Sequence, residues 1–195
     1  MKIKNVFEPL FSFGTDYLSN ACINSYNEPI TLYSAGYKEA ARRLTERALN
    51  ESGSIDILVF PIIFLYRHYL ELKLKEIILN GTDLLYSNPI ITTGHSFSNL
   101  WNLANPLIEE VYKDEKDKEP LQLLKHVINE FIKIDQNSIA FRYPLTVDKK
   151  PSLPGIEHIN IRRFSEYMEK ASELLDGISG GISDYKDYKN EMLRT

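Results

Sequence analysis

The segment FLYRHYLELKLKEIILNG, residues 64–81, carries the strongest structural signal in the chain. It extends an almost wholly apolar helical run that begins at Ile57. It then places four ionisable side chains on one side of the same helix, namely Arg67, His68, Glu71 and Lys75. At about 100° per residue, these side chains span an arc of roughly 100°. Since charged groups on a buried helix are costly unless they are paired or used, the segment predicts a largely buried helix with a polar cluster.

Two interpretations of this cluster are open. Arg67 and Glu71, and Glu71 and Lys75, are both i,i+4 pairs. They can therefore form a partly exposed helix edge with ion pairs worth about 0.3–0.5 kcal/mol each. Alternatively, the cluster faces inward as a polar pocket, in which Glu71 orients His68 or Arg67 while Arg67 and Lys75 hold a phosphate.

Length and composition are those of one soluble globular domain. The chain has 195 residues, of which 43% are hydrophobic and 26% are charged. The formal net charge of −4 argues against a protein that binds nucleic acid through a globally basic surface. A local basic patch is compatible with this charge.

Cysteine content and hydropathy predict a soluble, cytoplasmic protein. Cys22 is the only cysteine, which excludes an intramolecular disulfide and favours a reducing compartment. We expect Cys22 to be a small buried hydrophobe rather than a nucleophile. The N-terminal segment is too polar for a signal peptide, and the apolar run Ile57–Tyr66 has about half the length that a membrane span needs.

Helical periodicity predicts an all-α fold, an up-and-down bundle of four or five helices. The predicted helices begin at Thr31, at Ser54 or Asp56, at Phe97, at Pro120 and at about Asn160, and they end near Asn50, Leu79, Val111, Ile134 and Leu175. Asn80-Gly81 is interpreted as the stop signal of the second helix. The strand signal is weak, apart from a short hairpin around Asp148.

The same pattern divides the chain into three segments. Residues 1–30 are predicted to form an irregular N-terminal arm, and residues 31–176 form the helical bundle. Residues 177–195 form a polar C-terminal tail, either an arm or a frayed helix, because Gly177–Gly181 is expected to loosen the chain.

His95 is a second candidate site residue. It follows a loop and stands beside Ser96, where the third helix opens. Its imidazole can bond a free backbone group at the helix start, or it can act as a general base from the same exposed position.

The third candidate is the motif Phe141-Arg142-Tyr143-Pro144. The proline favours an extended backbone at Tyr143, which ends a helix. In one interpretation Phe141 and Tyr143 fill the core while Arg142 pairs with Glu71 or Asp135. In the other, Arg142 binds a phosphate or a carboxylate of a ligand.

Three motifs stand in a set order, and together they resemble the HEPN superfamily of prokaryotic helical domains. They are Tyr66 with Glu71-Leu72-Lys73-Leu74-Lys75, then Gly94-His95-Ser96-Phe97 with Leu100-Trp101, then Phe141-Arg142-Tyr143-Pro144. The resemblance covers roughly Leu32–Asp176. It implies a four- or five-helix bundle, and commonly a homodimer. Many members are metal-independent ribonucleases of toxin–antitoxin or phage-defence systems, with an Arg four to six residues before a His. None of the four histidines of this chain has an Arg at that spacing.

Two hypotheses of function follow. In the first, the chain is a HEPN-like module of a defence or toxin–antitoxin type system that binds or cleaves RNA or nucleotides. His68 or His95 is then the base, Arg67 or Arg142 stabilises the phosphate charge, and the candidate substrate-binding residues are Arg67, Glu71, Lys75 and Tyr143. In the second, it is a non-catalytic protein-interaction or dimerisation module, which the missing signature favours. Whether the protein is an enzyme stays open.

The expected partners are a second copy of the chain, an RNA or nucleotide ligand, and a protein encoded nearby, with no membrane. Neither a metal nor a cofactor is predicted, since the sequence has no H-E-x-x-H motif, no cysteine cluster and no Gly-rich phosphate loop.

Overall fold

Five α-helices make up most of the computed structural model, which describes residues 10–23, 29–51 and 53–193. The helices are α1 (Pro29–Asn50), α2 (Ile55–Tyr86), α3 (Phe97–Val111), α4 (Glu119–Asp135) and α5 (Ile161–Met192). The described ranges contain no strand, and their one isolated bridge pairs Leu145 with Pro151. The predicted all-α class is therefore confirmed. None of the described helices combines the length and the apolar character that a membrane crossing requires.

Helix α2 is the axis of the bundle. Its 32 residues extend over about 48 Å, and it packs against α1, α3 and α5. Helix α4 closes the bundle against α3 and α5. A helix surrounded in this way must be apolar on nearly all sides, which explains the composition of α2. Its buried apolar side chains are Ile62, Ile63, Tyr66, Tyr69, Leu70, Leu74, Ile77 and Ile78.

The predicted stop at Asn80-Gly81 is wrong, because α2 continues to Tyr86. Gly81 is buried, and a Cβ atom there would lie 3.3 Å from the side chain of Leu107 on α3. The glycine thus permits the close approach of two helices rather than a turn. Helix α2 ends instead at Tyr86, and its C-cap Ser87 adopts the left-handed conformation with φ 52°.

The expected loosening at Gly177–Gly181 is also wrong. Helix α5 runs through these glycines to Met192, so residues 182–192 of the predicted tail are helical. Ile182 is completely buried, and Lys186 donates a hydrogen bond to Asn80 on α2 at 2.8 Å. These tertiary contacts offset the cost of glycine in a helix, about 1 kcal/mol per residue. Residues 194 and 195 lie outside the described residues.

The N-terminal arm is irregular over residues 10–23, as expected, apart from one 3-10 turn at Tyr17–Ser19. Residues 1–9 and 24–28 of the predicted arm lie outside the described residues. Helix α1 begins at Pro29 rather than at Thr31. Cys22 is exposed on this arm, which corrects the expectation of a buried cysteine.

Two connections that position the candidate site follow the sequence prediction. Ser96 is the N-cap of α3, where its hydroxyl accepts from the backbone N–H of Asn99. The hairpin expected around Asp148 is present, because the N–H of Thr146 donates to the carbonyl of Lys150 at 2.9 Å.

We expect Gly177→Ala to stabilise the protein by about 0.5–1 kcal/mol, because Gly177 is exposed within α5 and an added Cβ meets no atom within 4 Å. Gly181→Ala is the matched contrast, since its Cβ would overlap the Tyr112 hydroxyl and displace that ring. Thermal unfolding followed by circular dichroism measures both variants. A lower melting temperature for Gly177→Ala would contradict a continuous α5.

Candidate functional site

Arg67 lies at the centre of the predicted cluster, and its side chain is completely buried. Its Nε donates to the carbonyl of Asp135 at 2.9 Å, and its Nη2 donates to the carbonyls of His95 at 2.9 Å and Gln136 at 3.0 Å. The guanidinium also lies 4.3 Å from the centroid of the Phe97 ring. These carbonyls lie at the end of α4 and just before α3, and the carbonyl of Gln136 also accepts from the backbone N–H of Phe97 at 3.1 Å. Arg67 therefore ties α2 to the adjoining ends of α3 and α4.

Glu71 is the acceptor for three side chains and is 1% exposed. Arg67 Nη1 donates to its Oε2 at 2.8 Å, while Lys75 Nζ and His95 Nδ1 lie 2.9 Å and 2.7 Å from its Oε1. Burial by itself raises the pKa of Glu71, but the hydrogen bonds from Lys75, His95 and Arg67 outweigh burial and lower the pKa below its ordinary value. The carboxylate is thus ionised at neutral pH.

Asp135 completes the buried network at the end of α4. Its Oδ1 accepts from the backbone N–H groups of Ile139 at 2.7 Å and Ala140 at 2.9 Å, and its Oδ2 lies 3.5 Å from Arg67 Nε. Burial lowers the pKa of Arg67, and the carboxylates of Glu71 and Asp135 offset only part of that effect. Two carboxylates, Glu71 and Asp135, thus balance the charge of two cations, the buried Arg67 and the partly exposed Lys75.

His95 is the exposed end of this network. Its side chain is 64% exposed, although Nδ1 contacts the buried Glu71. When Nδ1 donates to the carboxylate, Nε2 is left as a hydrogen-bond acceptor and a base. Glu71 was expected to orient His68 or Arg67, and it does contact Arg67, but the imidazole that it contacts is that of His95 and not that of His68.

His68 lies apart from the network, in a stack of aromatic rings. Its imidazole is 4.3 Å from the ring of Tyr37 and 6.0 Å from the ring of Phe64, measured between centroids. Burial is the main cause that lowers its pKa, so the ring is neutral at pH 7. The structure therefore gives His68 a packing position, with part of the ring exposed.

Arg142 is exposed and lies between two aromatic rings. Its guanidinium is 5.7 Å from the centroid of Phe64 and 5.4 Å from that of Tyr143, and Nε donates to the carbonyl of Ser138. The expected pairing with Glu71 or Asp135 is wrong, since those carboxylates bind Arg67, Lys75 and His95.

Of the two rings expected to fill the core beside Arg142, only Phe141 does so. Phe141 is 7% exposed, whereas Tyr143 is 54% exposed. Tyr143 therefore presents its ring to solvent beside an Arg that has no carboxylate partner among the described residues.

We call this region the α2 polar face and define it by Phe64, Arg67, His68, Glu71 and Lys75 of α2 together with His95, Arg142 and Tyr143. Its interior is filled by its own ion pairs, so Arg67 has no exposed surface for a ligand. We call its exposed members, His95, Arg142 and Tyr143, the rim, and Lys75 is 13% exposed. The rim offers an oriented imidazole, a held guanidinium and an aromatic ring.

Neither interpretation of the cluster is correct in full. The partly exposed helix edge is wrong, because Arg67 and Glu71 are buried. The inward orientation is right, but the position proposed for a phosphate beside Arg67 is occupied by backbone carbonyls and by Glu71.

A second polar cluster, which the sequence prediction missed, joins α1, α2 and α5. Lys73 Nζ lies 2.8 Å from Glu76 and 3.4 Å from Asp176, and Lys38 donates to Asp176 at 2.8 Å. The Tyr69 hydroxyl donates to the same carboxylate at 2.9 Å. Burial by itself raises the pKa of Asp176, but the hydrogen bonds from Lys38 and Tyr69 and the charge of Lys73 lower it overall.

A sequence signal for this second cluster existed. Lys73 and Glu76 belong to the same stretch as Glu71 and Lys75, yet they occupy the opposite side of α2. When a helix is buried on nearly all sides, each charged side chain that it carries needs a partner, whichever side it lies on. The sequence did not indicate that Asp176 belongs to this cluster, because its partners, Lys38, Tyr69 and Lys73, are distant in sequence.

No group of three or more His, Cys, Asp or Glu side chains in the described part of the chain could hold a metal ion. Comparisons of the chain with protein-family models, with curated proteins and with solved structures give no match.

We expect Arg67→Met to destabilise the protein by about 3–5 kcal/mol, because it removes the buried cation beside Glu71 and one hydrogen bond from each of three carbonyls. Arg142→Met is the matched control. Its guanidinium is exposed, so the loss of its ring contacts should cost about 0.5–1 kcal/mol. Urea unfolding measures both, and equal losses would contradict the structural role of Arg67.

The lowered pKa of Glu71 predicts a dependence of stability on pH. Because the pKa in the folded state lies below the unfolded value of 4.5, the stability from Glu71 is present above about pH 4.5 and is lost as the pH falls toward the folded value. The unfolding free energies of wild type and Glu71→Gln should therefore differ most at neutral pH and converge below pH 4.5. A constant difference in urea unfolding across this range would refute the assignment.

Proposed function

We propose that the protein binds RNA or nucleotides at the rim of the α2 polar face, and that His95 is the general base of a metal-independent RNA cleavage. The observation that carries this proposal is the 2.7 Å contact between the buried carboxylate of Glu71 and Nδ1 of the exposed His95. In keeping with the HEPN resemblance, we assign the protein to a prokaryotic defence or toxin–antitoxin type system in the cytoplasm.

The contact with Glu71 supports the role of His95 in two ways. It holds the imidazole in one orientation, and it favours the tautomer whose free Nε2 accepts a proton. Glu71 is itself held by Arg67 and Lys75 at 2.8 Å and 2.9 Å. A base on a buried, fully paired carboxylate is better positioned than a base on a mobile surface loop.

Arg142 and Tyr143 supply the binding groups on the same rim. The rings of Phe64 and Tyr143 hold the guanidinium of Arg142, which leaves its outer N–H groups available to phosphate oxygens. The exposed ring of Tyr143 is suited to stacking on an unpaired base. Single-stranded RNA combines both kinds of group, which favours it as the ligand.

The proposed reaction needs one base and one cation. His95 Nε2 takes the proton of a 2′-hydroxyl, and the 2′-oxygen attacks the adjacent phosphorus. Arg142 neutralises charge on the phosphorane oxygens. The bond from phosphorus to the 5′-oxygen then breaks, and the leaving oxygen takes a proton from water, which yields a 2′,3′-cyclic phosphate and a 5′-hydroxyl. His68 contributes to the binding surface, because its ring lies in the aromatic stack beside Arg142.

The alternative function is a non-catalytic interaction module. One observation favours it: Arg67, Glu71 and Lys75 are paired with one another and with backbone groups, as such a module requires. In that case the network only fixes the helices, and His95 completes the pairing of Glu71.

RNA turnover by purified variants distinguishes the two functions. We expect His95→Ala to lower the rate of single-stranded RNA cleavage by about 10²–10⁴-fold with little change in binding. Arg142→Ala should weaken RNA binding. The dependence of the binding constant on salt concentration should also fall, by the amount expected for the loss of about one phosphate contact. His68→Ala should have a smaller effect than either, because His68 is only part of the aromatic stack.

Asn102→Ala and Arg162→Ala are the matched controls, since both side chains are exposed outside the α2 polar face. Circular dichroism establishes that each variant is folded. Cleavage that survives in both His95→Ala and Arg142→Ala would exclude the proposed site. Absence of both RNA binding and cleavage in the wild type would establish the interaction module instead.

A further inference from the structure

The N-terminal arm presents large apolar side chains to solvent. Over residues 10–23 these side chains are between 74% and 100% exposed: Leu10, Phe11, Phe13, Tyr17, Leu18 and Ile23. Scattered apolar residues are normal on a protein surface, but six large exposed ones within fourteen residues of one segment indicate a contact with another molecule. The arm therefore has the composition of a docking segment.

The arm is also locally ordered. Asn20 closes a turn, because its Oδ1 accepts from the N–H of Gly14 at 2.7 Å and its Nδ2 donates to the carbonyls of Gly14 at 3.0 Å and Asp16 at 2.7 Å. Within this turn, the rings of Phe13 and Tyr17 meet edge to face at 6.3 Å. A segment that is already folded loses less entropy on binding, so the turn is prepared to dock.

A cleft of matching character lies between α4 and α5. It has a volume of about 480 Å³ and an apolar floor that includes Ile63, Phe131, Phe164 and Met168. Its rim carries His126, His158, Arg163 and Tyr167. We call it the α4–α5 cleft. Concave apolar surfaces with a few polar groups at the rim are the usual form of a binding site.

We propose that the arm of one copy of the chain docks in the α4–α5 cleft of a second copy, and that the exchange is mutual. Each surface supplies what the other lacks, namely apolar side chains that protrude and an apolar cavity that is open. A mutual exchange forms two equivalent contacts and closes the assembly as a symmetric dimer. This proposal does not depend on the function of the α2 polar face.

Charge supports the same pairing. Asp16 is the only charged residue of segment 10–23. At the cleft, Arg163 takes part in none of the ion pairs among the described residues. Glu130, the carboxylate that lines the cleft, is paired with Lys133 at 2.7 Å. The rim therefore offers a free cation to the single anion of the arm.

The structure of one chain favours docking of the arm in the cleft of a second copy over docking in the cleft of its own chain. Phe11 is completely exposed and Leu18 is 93% exposed, so the arm is not inserted in any cleft of its own chain. Because the cleft is open as well, one copy leaves both surfaces uncovered. When two copies associate, the apolar arm and the α4–α5 cleft are both removed from water.

The test measures dimer dissociation by analytical ultracentrifugation. The arm variant is Phe13→Ser with Leu18→Ser, and the cleft variant is Ile134→Glu with Tyr167→Glu, two lining residues that are 40% and 41% exposed and thus tolerant of substitution. The wild type should be a dimer. We expect each variant to raise the dissociation constant by about tenfold or more. An equimolar mixture should form a heterodimer, because one intact arm meets one intact cleft.

A charge exchange tests the pairing directly. Asp16→Arg and Arg163→Asp should each weaken the dimer, and the double variant should recover part of the loss. Tyr188→Ser is the control, since Tyr188 is 64% exposed on α5 and lines neither surface. A monomeric wild type, or a dimer that survives both the arm and the cleft variants, would overturn the proposal. A wild-type monomer whose arm is protected from proteolysis would show that the arm docks in its own cleft.

Discussion

The burial of the Arg67 guanidinium is the interaction on which the rest of the structure depends. A completely buried cation is stable only when its donors and its charge are matched, and Arg67 makes four hydrogen bonds, to three carbonyls and one carboxylate. These carbonyls belong to the end of α4 and to the residue before Ser96, the N-cap of α3. One side chain on α2 therefore fixes the relative positions of three helices.

The same constraint shapes the candidate site. Because Glu71 must neutralise Arg67 and Lys75, it is ionised and held in one place. It can then accept a further hydrogen bond from His95 at the surface. Glu71 thus belongs both to the buried structural network and to the contact that orients the exposed imidazole of His95. Arg67 and Glu71, which first suggested a pocket on α2, are buried and hold His95 in place, while the most exposed side chains of the candidate site, His95, Arg142 and Tyr143, come from other segments.

Prediction from sequence succeeded where the signal was local. The five helices follow from apolar periodicity, and the start of α3 follows from the helix opening that the sequence places at Ser96. It failed at two glycine segments, because Gly81 and Gly177–Gly181 carry the same local signal whether they end a helix or allow close packing within one. Packing against Leu107 and the burial of Ile182 resolve that ambiguity, and both are contacts between distant parts of the chain.

The sequence by itself determined the all-α class, the polar cluster on α2 and the set of residues from which a site could be built. Periodicity and burial are encoded in neighbouring residues, so they can be inferred without coordinates. Only the tertiary structure decided that Glu71 orients His95 rather than His68. It also decided that Arg142 contacts two aromatic rings rather than a carboxylate. The physical reason is that hydrogen-bond partners are selected by distance in space, and α2, the segment before α3 and the segment after α4 meet only in the folded chain.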